Sequence, residues 1–196
     1  MQSVTELFHE QIEVKKSTFI GYLTPLSQID TLYERLKEEH PKARHIVWAK
    51  RYLNEYQQIV ENSSDDGEPK GTSGPPVLNV MRGSNLIECA ILIVRYFGGI
   101  KLGTGGLVRA YSSCAKAVID RADLQLFEAR HSVRFFTRYT LVARFEHFLK
   151  HEGIPFPKRE YEGEGIVWEL NLSERESASF LAFASSYERD GFHLMG

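Results

Sequence analysis

The sequence predicts an α+β chain of two domains, on three observations. Apolar residues switch repeatedly between the twofold spacing of strands and the 3.6-residue spacing of helices along the 196 residues. A boundary near residues 123–130 separates two such patterns. The pattern after it reads β-α-β-β-α-β, a complete small α+β unit. The expected domains are residues 1–126 and 130–196.

In the first domain, residues 12–23 mix β-branched and aromatic side chains and stop before Pro25, which predicts a strand. Residues 27–40 predict a helix: Ser27 and Asp30 resemble a capping box, Ile29, Leu32, Tyr33 and Leu36 form a stripe, and Pro41 ends it. Residues 44–52 alternate as a strand, and residues 56–60 offer another. Residues 61–76 are too rich in Gly, Pro and Ser for a long element and too long for a plain connector. A short helix is expected over residues 76–82, closed by Gly83 and Asn85. Residues 88–96 carry the apolar run Cys-Ala-Ile-Leu-Ile-Val of a buried strand. Ten residues containing five glycines, 97–106, lead into a helix over 107–122 with an apolar face of Leu107, Ala110, Tyr111, Cys114, Ala117 and Val118.

In the second domain, strands are expected at 131–137, 155–161 and 166–172, with a turn at 162–165. A helix covers 139–152 and ends at Gly153. Ser173 and Glu176 form a capping box for a helix that packs Phe180, Leu181, Ala184 and Tyr187, and a last strand lies near 192–195. That order is ferredoxin-like.

The composition, 42% hydrophobic and 26% charged, is that of a globular protein. A net charge of −2 argues against holding phosphate backbones by bulk charge, so any nucleic-acid contact must come from a local patch. Cys89 and Cys114 form no CxxC pair and read as buried free thiols. No secretory leader or membrane-length apolar run is visible, so the expected location is cytoplasmic, with no membrane partner.

Two loops carry the site-like features. After the buried strand, Lys101, Gly103 and Gly105 sit where a glycine-rich loop opens a helix, whose first N–H groups are unpaired and partly positive. Arg109 and Lys116 extend that surface. The segment matches neither GxxxxGK[ST] nor GxGxxG. Its glycines serve either binding or tight packing. In the earlier loop, Asp65, Asp66 and Glu68 flank Gly67, an arrangement open to a hard cation or to an exposed turn, and no metal is assigned. Gly71 and Thr72 lead through Ser73 and Gly74 either to an anion site or to a kinked helix entry. His45 either faces the glycine surface or is structural, and His147 and His151 read as surface residues. Lys15, Lys16, Lys42, Arg44, Lys50 and Arg51, near Trp48 and Tyr52, form either an RNA-binding strip or solvated strand edges. No nucleophile, base and carboxylate set stands out, so no catalytic residue and no cofactor is assigned.

Taken together the two loops resemble the signatures of the IMPACT/YigZ family. The first is Ser64-Asp65-Asp66-Gly67-Glu68-Pro69 with Gly71-Thr72 and Gly74. The second is Val94-Arg95-Tyr96-Phe97-Gly98-Gly99, Leu102 to Leu107, and Ala110-Tyr111. Lys16-Ser17, Phe19-Ile20 and Ala43-Arg44-His45 match the family's start. The resemblance implies a first domain like domain IV of elongation factor G and a ferredoxin-like second domain. It also implies translation regulation by a non-enzymatic binding protein, with RNA, the ribosome or a translation-related protein as partner classes. Eukaryotic relatives act on translation initiation, but bacterial members have no settled activity, and fold analogy alone is a weak warrant for function. The expected surface is Asp65, Asp66, Glu68, Gly71, Thr72, Arg95, Lys101, Gly103, Gly105 and Arg109. The alternative is an enzyme or small-molecule binder acting on a phosphorylated ligand at the same surface.

Overall fold

A computed structural model describes residues 1–195. The chain divides into two compact units, Met1–Phe127 and a second beginning at Glu128.

The first unit is built on strands β1 (Gln2–Ser3), β2 (Phe8–Val14), β3 (Ser17–Pro25), β4 (His45–Leu53), β5 (Ile59–Ser64), β6 (Cys89–Tyr96) and β7 (Gln125–Leu126), and helices α1 (Ile29–Glu39), α2 (Gly74–Gly83) and α3 (Thr104–Arg121). Five strands form one sheet in the order β2-β3-β6-β4-β5, every neighbouring pair antiparallel. β1 and β7 pair separately.

β6 is apolar throughout because helices cover both of its faces. Cys89, Ile91 and Ile93 pack with Val77, Met81, Leu107, Tyr111 and Val118 of α2 and α3. Ala90, Leu92 and Val94 pack with Leu32 and Leu36 of α1.

The single strand expected over 12–23 is two strands. Lys15 and Lys16 turn the chain at φ 46° and 66°, a tight hairpin formed without the Asn or Gly that usually marks one. The Ser27 capping box does not form, because residues Leu26–Gln28 make a 3-10 turn and no side chain caps α1. The strand expected at 56–60 runs instead over Ile59–Ser64, inside the stretch read as loop, since it can pair with β4. α2 starts two residues earlier than expected, at Gly74. α3 starts three residues earlier, so it takes in part of the glycine-rich loop.

The second unit contains β8 (Arg130–Arg138), α4 (Val142–His151), β9 (Lys158–Tyr161), β10 (Gly165–Ser173), α5 (Glu174–Ala184) and β11 (Phe192–Met195). The sheet order is β11-β8-β10-β9, all antiparallel. Its core is aromatic: Phe135, Phe145, Trp168, Phe180 and Phe192 are buried together. The indole N–H of Trp168 donates to Thr137 Oγ1 at 2.8 Å, which satisfies a polar group that burial would otherwise penalise. The Ser173–Glu176 capping box is present with both hydrogen bonds. Leu181 is 41% exposed, contrary to expectation, because the inward stripe runs through Phe180, Ala184 and Tyr187. β9 begins three residues later than predicted, at Lys158.

Candidate functional site: a cationic cavity at the end of the sheet

The N-terminal unit brings the two loops together over one end of its sheet. In the β3–β6–β4 register, Phe19, Arg95 and His45 stand side by side, on the face covered by α2 and α3. The loop after β5 closes over this row. Asp66 and Gly67 take φ 43° and 82°, and Glu68 N–H donates to Asp65 O at 2.9 Å, so the Asp-Gly pair forms a tight turn that requires positive φ at both positions.

Asp65 holds the loop to the start of α2. Its Oδ1 accepts from Ser73 N, Ser73 Oγ and Gly74 N at 3.1, 2.7 and 2.9 Å, and its Oδ2 accepts from Gly71 N at 2.7 Å. Burial alone would raise this carboxyl's pKa. The donors from Gly71, Ser73 and Gly74 together outweigh it and hold the pKa below the usual carboxylate value. The carboxylate therefore takes the role that an N-cap side chain normally plays, which Ser73 does not. Thr72 is buried and its hydroxyl donates to Pro69 O at 2.7 Å, so this segment is the kinked entry to a helix.

Asp66 ties the turn to the sheet. Its Oδ2 accepts from Ile46 N at 2.6 Å, and its backbone oxygen lies 2.6 Å from His45 Nδ1. A carbonyl only accepts, so Nδ1 is the donor in this contact.

Glu68 is the carboxylate the turn delivers inward. Its side chain is 3% exposed and that of Arg95 9%. Glu68 Oε1 accepts from Arg95 Nη1 and, at 2.8 Å, from the Tyr111 hydroxyl. Burial first, then the charge of Glu68, push the Tyr111 pKa well above the usual phenol value, so Tyr111 is a donor at all ordinary pH. Tyr111 also packs edge-on against Phe19, centroids 5.1 Å apart. Asp65 and Glu68 are thus engaged in structural hydrogen bonds, and among the described residues no three His, Cys, Asp or Glu side chains converge as a metal site.

Above this network lies a cavity of about 480 Å³, lined by Arg44, His45, Glu68, Pro69, Arg95, Phe97, Lys101, Leu102, Gly103, Thr104 and Leu107. Three cations and one carboxylate leave two positive charges on its wall. Arg95 donates through Nη1 to Glu68, and among the described residues its buried Nε has no partner. The guanidinium lies 5.5 Å from the Phe19 ring centroid and 5.9 Å from that of Phe97. α3 opens at the cavity from Gly103, at φ 71°, with no side chain capping its first N–H groups.

The glycine-rich segment serves packing as well as the cavity. A Cβ at Gly98 would lie 1.9 Å from Lys16 O, so only glycine lets this loop close onto the β2–β3 turn, where Gly98 N–H donates to Ser17 Oγ at 3.1 Å.

Of the ten residues singled out from the sequence, Glu68, Arg95, Lys101 and Gly103 line the cavity. Asp65, Asp66, Gly71 and Thr72 build the loop that presents Glu68. Gly105 is in the first turn of α3, within 3.6 Å of the exposed Arg109 guanidinium measured from the position of a Cβ. Lys116 is three turns further on and pairs with Asp120, which separates it from the cavity. Arg51 is no part of a basic strip: it is buried, bonded to Glu61 and to Leu86 O. Arg44, Phe97 and Thr104 line the cavity but were not among the ten, nor was Tyr111, whose hydroxyl donates to Glu68 from the apolar face of α3. The signal for Tyr111 was its place in the second signature.

The family model of the Impact N-terminal domain matches residues 15–119, which include every residue of this site. The chain belongs to the IMPACT family. It is 46% identical over 104 residues to an IMPACT family member of Haemophilus influenzae, covering 52% of this chain and 50% of that protein. It is 39% identical over 138 residues to the IMPACT family member YigZ of Escherichia coli, covering 68% and 64%. It is 29% identical over 181 residues to YvyE of Bacillus subtilis, covering 91% and 82%. A crystal structure of a hypothetical protein superposes with TM-score 0.73 at 28% identity, covering all of this chain and 96% of that one.

Proposed function

We propose that this chain is a non-enzymatic, cytoplasmic binding protein that regulates translation by contacting RNA on the ribosome. The carrying observation is Arg95: a cation only 8% exposed, with an unpartnered Nε, beside Arg44, Lys101 and the uncapped start of α3. In a chain of net charge −2 this is a local positive field, which is what phosphate recognition by an acidic protein requires. Lys15 and Lys16 are exposed in the β2–β3 turn, which meets the glycine-rich loop where the Lys16 backbone packs on Gly98. Ribosome or translation-factor proteins are the other partner classes consistent with the family.

This reading takes residues 1–126 as a domain like domain IV of elongation factor G and residues 130–196 as a ferredoxin-like domain. The β-α-β-β-α-β order and the β11-β8-β10-β9 sheet support the second assignment. The alternative, an enzyme or small-molecule binder for a phosphorylated ligand, shares the cavity. A cation-assisted version of it is disfavoured because the carboxylates of Asp65 and Glu68 are bonded to the protein itself.

Co-sedimentation with ribosomes, measured as salt rises from low to physiological, tests the proposal. The expected result is salt-sensitive binding that is lost in a Lys101→Ala/Arg109→Ala variant, whose side chains are both exposed. No binding at low salt would overturn it.

A further inference from the structure

We infer that the cavity takes a terminal phosphomonoester carried on a planar base: a free mononucleotide, or the 5′-phosphorylated end of an RNA. The inference rests on the anion-site reading and names the group that the site recognises.

Charge comes first. The lining leaves two uncompensated positive charges from Arg44, Arg95 and Lys101 against Glu68. A phosphomonoester carries about 1.5 to 2 negative charges at pH 7, whereas a bridging phosphodiester carries one. A terminal phosphate is therefore the better electrostatic match.

Donor geometry comes second. Arg95 uses Nη1 on Glu68, and its buried Nε has no hydrogen-bond partner among the described residues. Arg95 lines the cavity and its charge is met by a single hydrogen bond to Glu68, so a phosphate oxygen at the open part of the guanidinium adds a charge-assisted bond. Thr104, Gly105 and Gly106 supply the first N–H groups of an 18-residue helix that no side chain caps. A glycine N-cap and two glycines in the first turn keep side chains off that approach.

Shape comes third. Most of the wall is not charged: Pro69, Phe97, Leu102 and Leu107 face the same space. Phe97 is 53% exposed although it adjoins the most buried cation of the site. An exposed ring beside a phosphate seat is the arrangement on which a base stacks. The volume, about 480 Å³, falls in the range of small-ligand cavities and admits one nucleotide.

Isothermal titration calorimetry on the full chain tests this with adenosine 5′-monophosphate, adenosine, inorganic phosphate, and one short RNA with and without its 5′-phosphate. The monophosphate is expected to bind at least about tenfold tighter than either adenosine or phosphate alone, because each part holds only half of the site. Phe97→Ala is expected to weaken the monophosphate about tenfold and leave inorganic phosphate unchanged. Lys101→Ala is expected to weaken both. Both side chains are exposed, so an unchanged unfolding curve confirms an intact fold.

Preference for the 5′-phosphorylated RNA over its 5′-hydroxyl twin identifies the RNA end as the source. Monophosphate binding with no such preference identifies the free nucleotide. Equal or absent binding of all five probes at millimolar concentration overturns the inference, as does a Phe97→Ala variant that binds the monophosphate unchanged. Ribosome binding that persists in that case leaves the proposed function standing. Nucleotide binding in a chain that ignores ribosomes removes the function and keeps the inference.

Discussion

Replacing Glu68 by alanine isolates the interaction that joins the two signature loops. In the native protein Glu68 neutralises Arg95 and accepts the Tyr111 hydroxyl, all three side chains being more than nine-tenths buried. Removing it leaves a buried guanidinium without a counter-charge, a change that costs about 3–5 kcal/mol. Tyr111 also loses its acceptor, a cost of about 1–3 kcal/mol in isolation. The two overlap, because both groups lose the same oxygen, so the expected total stays near 4 kcal/mol rather than their sum. For a unit of this size that lowers its melting temperature by about 10–20 °C. Calorimetry is the right assay, since two units can unfold in separate transitions. A double variant, Glu68→Leu with Arg95→Met, removes both charges and should recover the part of the loss due to the unpaired guanidinium, since apolar replacement of a buried pair is often neutral, while the Tyr111 hydroxyl stays without its acceptor. A Glu68→Ala cost below about 1 kcal/mol, or a double variant no better than the single, would refute the claim that a buried ion pair closes the loop.

Further outcomes follow from the same geometry. Gly98→Ala forces a Cβ to within 1.9 Å of Lys16 O, a backbone atom that cannot swing aside, so urea unfolding should show a loss of about 3 kcal/mol. Asp65, Glu61 and Glu176 all have pKa values lowered by the fold: Asp65 by N–H and hydroxyl donors that outweigh burial, Glu61 by Arg82 and then Arg51, and Glu176 by Ser173 and Arg130 against burial. A depressed carboxylate stabilises the fold above its unfolded pKa and loses that contribution as pH falls through the folded one. Melting temperature should therefore hold level above about pH 5 and drop below it, and Asp65→Ala should lower the plateau and shallow the drop. Burial pushes the Cys89 and Cys114 thiols up to about 12, so neither should react with a thiol reagent at pH 8 until denaturant is added.

The pattern of β6, with helices on both faces, was legible because Cys-Ala-Ile-Leu-Ile-Val has no polar phase. The capping box at Ser173 was legible because it is a local hydrogen-bond arrangement that spacing alone specifies. The β2–β3 hairpin was not, because Lys15 and Lys16 adopt positive φ without the residues that usually signal it. The extent of β5 was hidden because a strand rich in Asn, Ser and Glu is decided by its pairing with β4 rather than by propensity. At the site, sequence singled out the charged and glycine residues of both loops. It could not distinguish Asp65, which caps α2, from Glu68, which reaches Arg95, since both are acids three residues apart on one turn. The alignment of His45, Arg95 and Phe19 comes from strand register, which links residues far apart in the chain.

The central claim is that an acidic chain recognises phosphate through one local cavity. The most direct test is the affinity for single-stranded RNA measured across salt concentrations, for the protein and for an Arg44→Ala/Lys101→Ala variant. Losing two phosphate contacts should make the slope of log affinity against log salt shallower by about 1.4, with weaker binding at low salt. An unchanged slope and affinity would contradict the account and move the RNA contact elsewhere on the protein.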